Sequence, residues 1–452
     1  MQHRATLPVL VALIAAHVVL AVLYLVQTPY RTAGVVTINP SHEKDIGAPD
    51  ERQHANNIRR LIKGQGFAVF NPKDPNLYEN YQAHQPPLYY LMASAWARGF
   101  DVQDVESKRD GSLLRLLNVL VGAAGVAGVF FLAKWAYHRE WIALTATGIA
   151  ALLPMNVALS SAISNDPLLI ALCTWALAFT ALAMREGWTT RRAVAVGLLT
   201  GLALLTKTTA VALLPTLLLA ALLTKPKAFQ VGTVLLVSLG LALPWWVRNQ
   251  VLYGDPLAMG AFSEAFVGSA QKTLFTEQII PKLSPGENPN LAYWIDWVGF
   301  WTARSFLGVF GYMDVWLTQS GMQRSTFDEN RLYWVAILVF AVGLVGWIVS
   351  WRDPQNDKAR RVRIVNLVFF LVILAQFVLF NNRYFQAQAR YLLPALGPIA
   401  CGLALGYHEL AHRRKLVPLV AMVVFLLMVN VFALVRLGPQ FEARIQPQSR
   451  LP

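Results

Sequence analysis

Apolar runs of roughly 17–25 residues recur from one end of the chain to the other, each long enough to cross a hydrocarbon core of about 30 Å as a helix. They fall at about 5–26, 113–136, 141–160, 167–184, 192–206, 208–224, 229–247, 332–351, 364–380, 389–407 and 416–436. Backbone polar groups in lipid must be satisfied within the segment, so each run predicts a helix. The expectation is an all-α integral membrane protein with about eleven transmembrane helices. The runs on either side of Lys207 are short, and a single kinked span there would invert everything after it. The first run, Ala5 to Val26, is longer than a signal-peptide core and lacks a small-x-small cleavage site, so it reads as an uncleaved span. No internal repeat or low-complexity tract is visible.

Composition agrees with this reading. Of the 452 residues, 56% are hydrophobic and 14% charged, against roughly 25% charged in a soluble domain. No large soluble domain is expected. The formal net charge of +14 would suit nucleic acid, but the excess sits in short loops between spans, where the positive-inside rule puts it. The membrane is the expected partner and nucleic acid is not. Cys173 and Cys401 lie inside apolar runs, so neither a disulfide framework nor a zinc-finger spacing is present.

Charge also sets an orientation. With the N-terminus in the cytoplasm, the short inner loops hold Lys134 and Arg139; Arg185, Arg191 and Arg192; Lys225 and Lys227; Arg352, Lys358, Arg360, Arg361 and Arg363; and Arg413, Arg414 and Lys415. The short outer turns hold only Lys207, Arg383 and Arg390, while the outer tail, with Arg436, Arg444 and Arg450, is a mild counter-signal. Two long loops, 27–112 and 248–331, then lie outside. Loops of that length in a compact protein are usually functional. The first carries a polar helix, Pro49 to Gly64, and a short apolar one, Pro86 to Arg98, expected to lie in the interface. The second ends in an aromatic stretch, Leu291 to Leu317, suited to headgroup depth.

Candidate chemistry gathers at those outer segments. In Ala48-Pro49-Asp50-Glu51-Arg52-Gln53-His54, two adjacent carboxylates and a histidine share a helical turn, and Asp50 faces the same way as His54. The group reads either as a general base with a metal ligand beside it, or as an N-cap aspartate followed by a first-turn glutamate. His84-Gln85-Pro86-Pro87-Leu88-Tyr89-Tyr90 reads as a rigid start to an interfacial helix. Asp166, in Ser164-Asn165-Asp166-Pro167, is expected to cap its span, and it also sits at an outer mouth where a polar group can line a cavity. Lys207 either snorkels or holds a phosphate as a point charge. Arg383 and Arg390 share one short outer turn. Ordinary headgroup contact would account for them, as would a lipid phosphate or carboxylate nearby. Each signal is weak alone, but none lies mid-span. A site at that face would join carboxylates for proton abstraction with cations for a phosphate leaving group.

The ordered set of motifs resembles the C-type membrane glycosyltransferases (the GT-C superfamily), which use polyprenyl-phosphate-linked sugars. Within it the pattern is most similar to a bacterial group of predicted membrane proteins of unknown function. The motifs are Pro49-Asp50-Glu51 with His54, Gln85-Pro86-Pro87-Leu88-Tyr89-Tyr90, Arg115-Leu116-Leu117, Ser164-Asn165-Asp166 and Leu205-Thr206-Lys207. They continue with Pro244-Trp245-Trp246-Val247-Arg248-Asn249, Tyr253-Gly254-Asp255-Pro256, Ser305-Phe306-Leu307-Gly308, Phe310-Gly311-Tyr312 and Arg390-Tyr391-Leu392-Leu393-Pro394. The resemblance runs from the first span to about residue 400. It implies a catalytic carboxylate at Asp50 with Glu51 beside it, and cations at Lys207 and Arg390 near the donor phosphate; Arg383, on the same outer turn as Arg390, is expected to join them. His54, His84, Tyr89 and Asp166 would line the cavity. Some relatives need a divalent metal and others do not; none is predicted here, although Asp50, Glu51, His54 and His84 would be its candidates.

The expected organisation is a catalytic module over residues 1–407, with 408–452 adding a last helix and a short outer tail. Many relatives carry a soluble domain after the last span; none is expected here. The expected activity is a glycosyltransferase moving a sugar from a polyprenyl-phosphate donor to an acceptor hydroxyl on a lipid, glycan or protein, at the outer face of a bacterial inner membrane, as in cell-envelope glycan assembly. An O-antigen-type ligase or polymerase is one alternative, with a pyrophosphate-linked donor and arginines dominating one large loop. A lipid-linked-sugar transporter or flippase is another. It would place ionisable residues near the bilayer midplane and show repeats or broken helices in matching halves, and the sequence shows neither.

Overall fold

A computed structural model describes residues 2–35, 44–265, 270–317, 331–352, 357–412 and 414–445. Arg413 and Arg450 lie outside these residues. Helix α1 (Gln2–Gln27) leads through a short antiparallel pair, β1 (Ala33–Gly34) and β2 (Lys44–Asp45), into α2 (Glu51–Ile62), α3 (Leu77–Asn80) and α4 (Leu88–Gly99). Short connections then join α5 (Lys108–Tyr137), α6 (Glu140–Leu152), α7 (Pro154–Ser160), α8 (Asp166–Glu186), α9 (Thr190–Leu204), α10 (Leu213–Thr224) and α11 (Ala228–Tyr253). The second long loop holds α12 (Met259–Ala265), α13 (Ile280–Leu283), α14 (Pro289–Ala292) and α15 (Phe300–Leu307), then the antiparallel pair β3 (Val309–Phe310) and β4 (Val315–Trp316). The chain finishes with α16 (Arg331–Val349), α17 (Asp357–Asn381), α18 (Leu396–Leu410) and α19 (Leu416–Glu442).

Helix occupies each of the predicted apolar ranges, and the protein is a multi-pass, all-α membrane protein. Among the described residues, seven helices are long and apolar enough to cross a bilayer: α1, α5, α8, α11, α16, α17 and α19. An eighth crossing results if α6 and α7, bent by 61°, form one span. Helices α9 and α18 are only 15 residues each, and the 208–224 stretch opens as a 3₁₀ turn before α10. The count of eleven therefore exceeds what length and hydropathy establish.

The broken span is the one feature of the bundle that the run 141–160 did not announce. Pro154 has no N–H to give and cannot continue the α6 ladder. Carbonyls at the break need donors from elsewhere, because lipid offers none. Asn156 Nδ2 donates to Ala150 O at 2.9 Å, His17 Nδ1 to Ala151 O at 2.8 Å, and Asn430 Nδ2 to Leu152 O at 2.7 Å. Three buried polar side chains inside apolar helices thus exist to satisfy one kink. Its consequence is functional: the chain turns at α7 and delivers residues 161–166 to one end of the bundle.

Around Lys207 the chain forms two antiparallel helices, α9 and α10. Trp188, just before α9, donates its indole N–H to Thr224 Oγ1 at the end of α10 (3.0 Å), and Gln230 Nε2 donates to Trp188 O (2.7 Å). The start of α9 and the end of α10 are therefore together, and Lys207 lies at the opposite end. The basic loops share the Trp188 end: Lys358 Nζ donates to Arg185 O (2.9 Å) and Arg361 to Leu223 O (2.8 Å). Elsewhere, α16 and α18 touch backbone to backbone, where a Cβ on Gly346 would meet the Gly406 carbonyl and one on Gly406 the Gly343 carbonyl, the small-residue contact common in membrane bundles.

The two long loops fold as expected in outline. Helices α2 and α4 occupy the two ranges read as helical. Helix α4 buries Tyr89, Tyr90, Ala93 and Ala97 against α2 and α5, and Trp96 Nε1 donates to Leu113 O at 2.9 Å. Its opposite side exposes Leu91, which suits an interfacial position. The aromatic stretch is a continuous helical run over 289–307 followed by the β3–β4 hairpin.

Candidate functional site

Four loops meet at the Lys207 end, held by buried polar side chains. Asn165 Nδ2 donates to Gln85 Oε1 and to Thr206 O, both at 3.1 Å. Leu88 N donates to Leu205 O at 2.9 Å. Asn118, fully buried within α5, donates to Ala162 O and, at 2.8 Å, to Ser164 O. The start of α4, the start of α8 and the break before α10 are thereby fixed to one another. The fourth loop, at 388–391, is anchored by Ser305 Oγ, which accepts from Ala389 N at 2.8 Å.

Two ion pairs occupy the resulting hollow. Arg390 Nη2 lies 2.9 Å from Asp50 Oδ2, with the two side chains 12% and 25% exposed. Lys207 Nζ lies 2.5 Å from Asp166 Oδ1. The Tyr391 ring joins the pairs: its centroid is 5.2 Å from the Arg390 guanidinium carbon and 5.8 Å from Lys207 Nζ. Residues separated by as many as 340 positions in sequence thus converge. Beside them runs a small cavity of about 60 Å³, lined by Pro49, Met155, Ser164, Met313, Arg390 and Phe441 among others.

Asp50 and Glu51 divide sharply. Asp50 sits in the left-handed region (φ 63°, ψ 0°) just before α2 and makes no side-chain cap. The N-cap alternative therefore fails, and the carboxylate is turned to Arg390. Glu51, expected beside Asp50 as a catalytic partner, points elsewhere. Arg115 donates to both of its oxygens, at 2.7 and 2.6 Å, and Ile163 N donates to Oε1 at 2.9 Å. Arg115 also donates to Leu25 O, Thr28 O and Pro29 O at 2.8–3.0 Å. That pair, 2% and 5% exposed, ties the end of α1, the start of α2, α5 and the 161–166 loop into one corner. Asp166 was expected to cap α8. Asn165 holds the N-cap position without a side-chain cap bond, and the Asp166 carboxylate goes to Lys207 instead.

The remaining expected site residues are placed as follows. His54 is buried, hydrogen-bonded through Nδ1 to the Tyr90 hydroxyl at 2.9 Å, and lies within the field of Asp50, Lys207, Asp166 and Arg390. Burial pushes its pKa down to about 4, only partly opposed by Asp50, so it is neutral at pH 7. His84 donates through Nδ1 to Tyr81 O (2.9 Å), and its Nε2 meets the Gln85 amide nitrogen at 3.0 Å. Phe70, Phe262 and Tyr81 surround it, and burial lowers its pKa to about 4. Tyr89 is 1% exposed and edges onto the His54 ring; it supports the wall and does not line the hollow. Arg383 is not brought in. It is exposed, 3.4 Å from Ser263 Oγ, and stacked on Tyr384. Sequence reasoning missed Arg115 as an anchor, Asn118 and Asn165 as clamps, and Tyr391 as the platform under both cations. Asn118, the one amide within an apolar run entering the first loop's far end, was the available signal. Among the described residues, no three His, Cys, Asp or Glu side chains are grouped to hold a metal ion.

The fold is similar to that of solved membrane oligosaccharyltransferases. The family described as dolichyl-phosphate-mannose-protein mannosyltransferase matches residues 85–247, from the Gln85 motif through Lys207 to α11. Among solved structures, the archaeal oligosaccharyltransferase AglB from Archaeoglobus fulgidus, in complex with an inhibitory peptide and a dolichol-phosphate, is similar with a TM-score of 0.55 and 15% identity. The likeness covers 99% of this chain and 57% of AglB. The Archaeoglobus fulgidus oligosaccharyltransferase in complex with Zn and sulfate gives a TM-score of 0.54 at 13% identity, over 94% of this chain and 53% of its own. ArnT from Cupriavidus metallidurans in the apo state is 15% identical over 99% of this chain and 82% of ArnT, with a TM-score of 0.40. This chain spans about half the length of the oligosaccharyltransferases it matches. At these identities the likeness to the oligosaccharyltransferases establishes the fold. No curated protein matches the sequence.

Proposed function

We propose that this chain is a glycosyltransferase that takes a sugar from a polyprenyl-phosphate donor and passes it to an acceptor hydroxyl on a lipid, glycan or protein. The reading places the reaction at the outer face of a bacterial inner membrane, with the N-terminus in the cytoplasm and eleven passes, the short helices α9, α10 and α18 crossing beside longer neighbours. Residues 1–407 form the catalytic module in this view, and α19 adds a wall through Phe441.

One observation carries the proposal: the Asp50–Arg390 and Lys207–Asp166 pairs stand at one end of the bundle, opposite the basic loops. A transporter would keep such groups near the midplane. An O-antigen-type ligase would draw its cations from one large loop, whereas Lys207 and Arg390 come from two short connections.

In the proposed reaction, the donor phosphate takes Arg390 and Lys207 as its cationic partners, leaving Asp50 unpaired. Asp50 accepts the acceptor's hydroxyl proton. The hydroxyl oxygen forms a bond to the anomeric carbon as the bond from that carbon to the phosphate oxygen breaks, and the phosphate leaves with the electron pair. The transition state is oxocarbenium-like. Lys207 and Arg390 stabilise charge growing on the phosphate, the kind of electrostatic effect that is usually the largest in catalysis. Arg383 is a rim residue in this scheme and Glu51 a positioning residue. The test is transfer from labelled polyprenyl-phosphate sugars by purified protein with membrane extract. Asp50→Asn should lose about 10²–10⁴-fold in rate while keeping the wild-type melting temperature. Wild-type rates from this variant would overturn the assignment.

A further inference from the structure

We infer that Asp166 is a built-in competitor for the lipid phosphate: its carboxylate occupies the Lys207 ammonium while the site is empty and exchanges with the phosphate during each cycle. The inference rests on the proposed reading of Lys207 as a phosphate ligand, and goes beyond it by giving the acid beside that lysine a task.

The two buried acid–base pairs of this end differ in kind. Glu51 and Arg115 are locked: five hydrogen bonds from the guanidinium and one more from Ile163 N leave nothing free to exchange. Lys207 and Asp166 are joined by a single contact of 2.5 Å. An ammonium has three donors, and Lys207 uses one. Asp166 is 5% exposed, does not cap its helix, and stands within the field of Arg390 and His54 as well as Lys207. A side chain so placed has no structural duty that the helix requires. It does supply a second negative charge where a phosphate must come.

The charge balance makes the consequence definite. Asp50 and Asp166 against Lys207 and Arg390 sum to zero in the hollow. An arriving phosphate adds negative charge beside Asp166, and like charges a few ångströms apart repel strongly where water is scarce. Donor and product are therefore both held less tightly than two free cations would hold them. For the product lipid phosphate this is useful, because Asp166 can retake Lys207 as the lipid departs.

The test is binding of a short-chain polyprenyl phosphate to the full-length protein in detergent, with the matching polyprenol as control. Asp166→Asn should bind the phosphate at least about tenfold more tightly, a gain of about 1.4 kcal/mol, with no change for the polyprenol. Its kcat should fall because product leaves slowly, and Asp166→Glu should return affinity toward the wild-type value. The gain should vanish when Lys207→Gln is added. Weaker or unchanged phosphate binding by Asp166→Asn, with wild-type binding intact and Lys207→Gln impaired, overturns the competitor role alone. A wild-type protein that binds no polyprenyl phosphate overturns the functional reading together with it. Equal loss for phosphate and polyprenol marks a merely structural Asp166 and also refutes the inference.

Discussion

Arg115→Met should cost more than any other single change at this end of the molecule. The side chain is 2% exposed and makes five hydrogen bonds, two to Glu51 and three to carbonyls at the end of α1. Removing one member of a buried ion pair strands the other without compensation, at about 3–5 kcal/mol. That is a large share of a total stability of roughly 5–15 kcal/mol. Glu51 would keep one partner, Ile163 N, so the penalty belongs to the charge more than to the missing bonds. Adding Glu51→Gln removes the stranded charge, and the double variant should recover about 1–3 kcal/mol relative to the sum of the singles. Thermal unfolding in detergent measures the stability terms, and the transfer assay measures the consequence for Asp50, which the pair holds in place from the next residue. Arg115→Met with a wild-type melting temperature and wild-type transfer would refute the claim that this corner holds the site.

Two further outcomes follow from the packing. His54 and His84 are both held neutral by burial, with pKa lowered from 6.5 to about 4. The unfolded chain binds more protons between those values, so their contribution is full above pH 6.5 and is lost as pH falls through 4, on the order of 3 kcal/mol per histidine. Melting temperatures at pH 7 and pH 5 should converge when both are replaced by Gln; an unchanged pH slope would contradict this. Gly406→Ala should destabilise by about 1–3 kcal/mol, since its Cβ would strike the Gly343 carbonyl where α16 and α18 touch, and a melting curve matching wild type would show that the helices part freely.

Much of this was legible in the sequence, and the failures have specific causes. Hydropathy located every long helix, because the bilayer imposes length and apolarity together. It also counted as crossings the short helices α9, α10 and α18, whose length alone does not establish a span. The polar groups His17, Asn156 and Asn430 had no visible reason within their apolar runs; their reason is a set of carbonyls at the Pro154 break, up to 278 residues away. Local rules offered a helix cap as one reading of Asp50 and expected one of Asp166, and both fail for the same reason. Capping is decided by what else the carboxylate can reach, and Arg390 and Lys207 were invisible from either position. Arg383 was grouped with Arg390 by nearness in sequence, yet the intervening turn sends it to Ser263.

The adjacent acids Asp50 and Glu51 show how one dipeptide serves two purposes. A non-glycine residue with φ near 63° carries a conformational cost of order 1–3 kcal/mol, which persists only where the surroundings impose it. Here two neighbours impose it: Glu51 opens α2 with both oxygens held by Arg115, and Pro49 precedes Asp50 with φ restricted by its ring. Asp50 has no freedom left except to turn its carboxylate outward, toward Arg390. Were Glu51 free to join Asp50 in the hollow, the two carboxylates would outnumber their cations and raise the cost of admitting a phosphate. Burying Glu51 on Arg115 therefore does two things at once. It holds the backbone that aims Asp50, and it keeps one negative charge out of a site proposed to receive another.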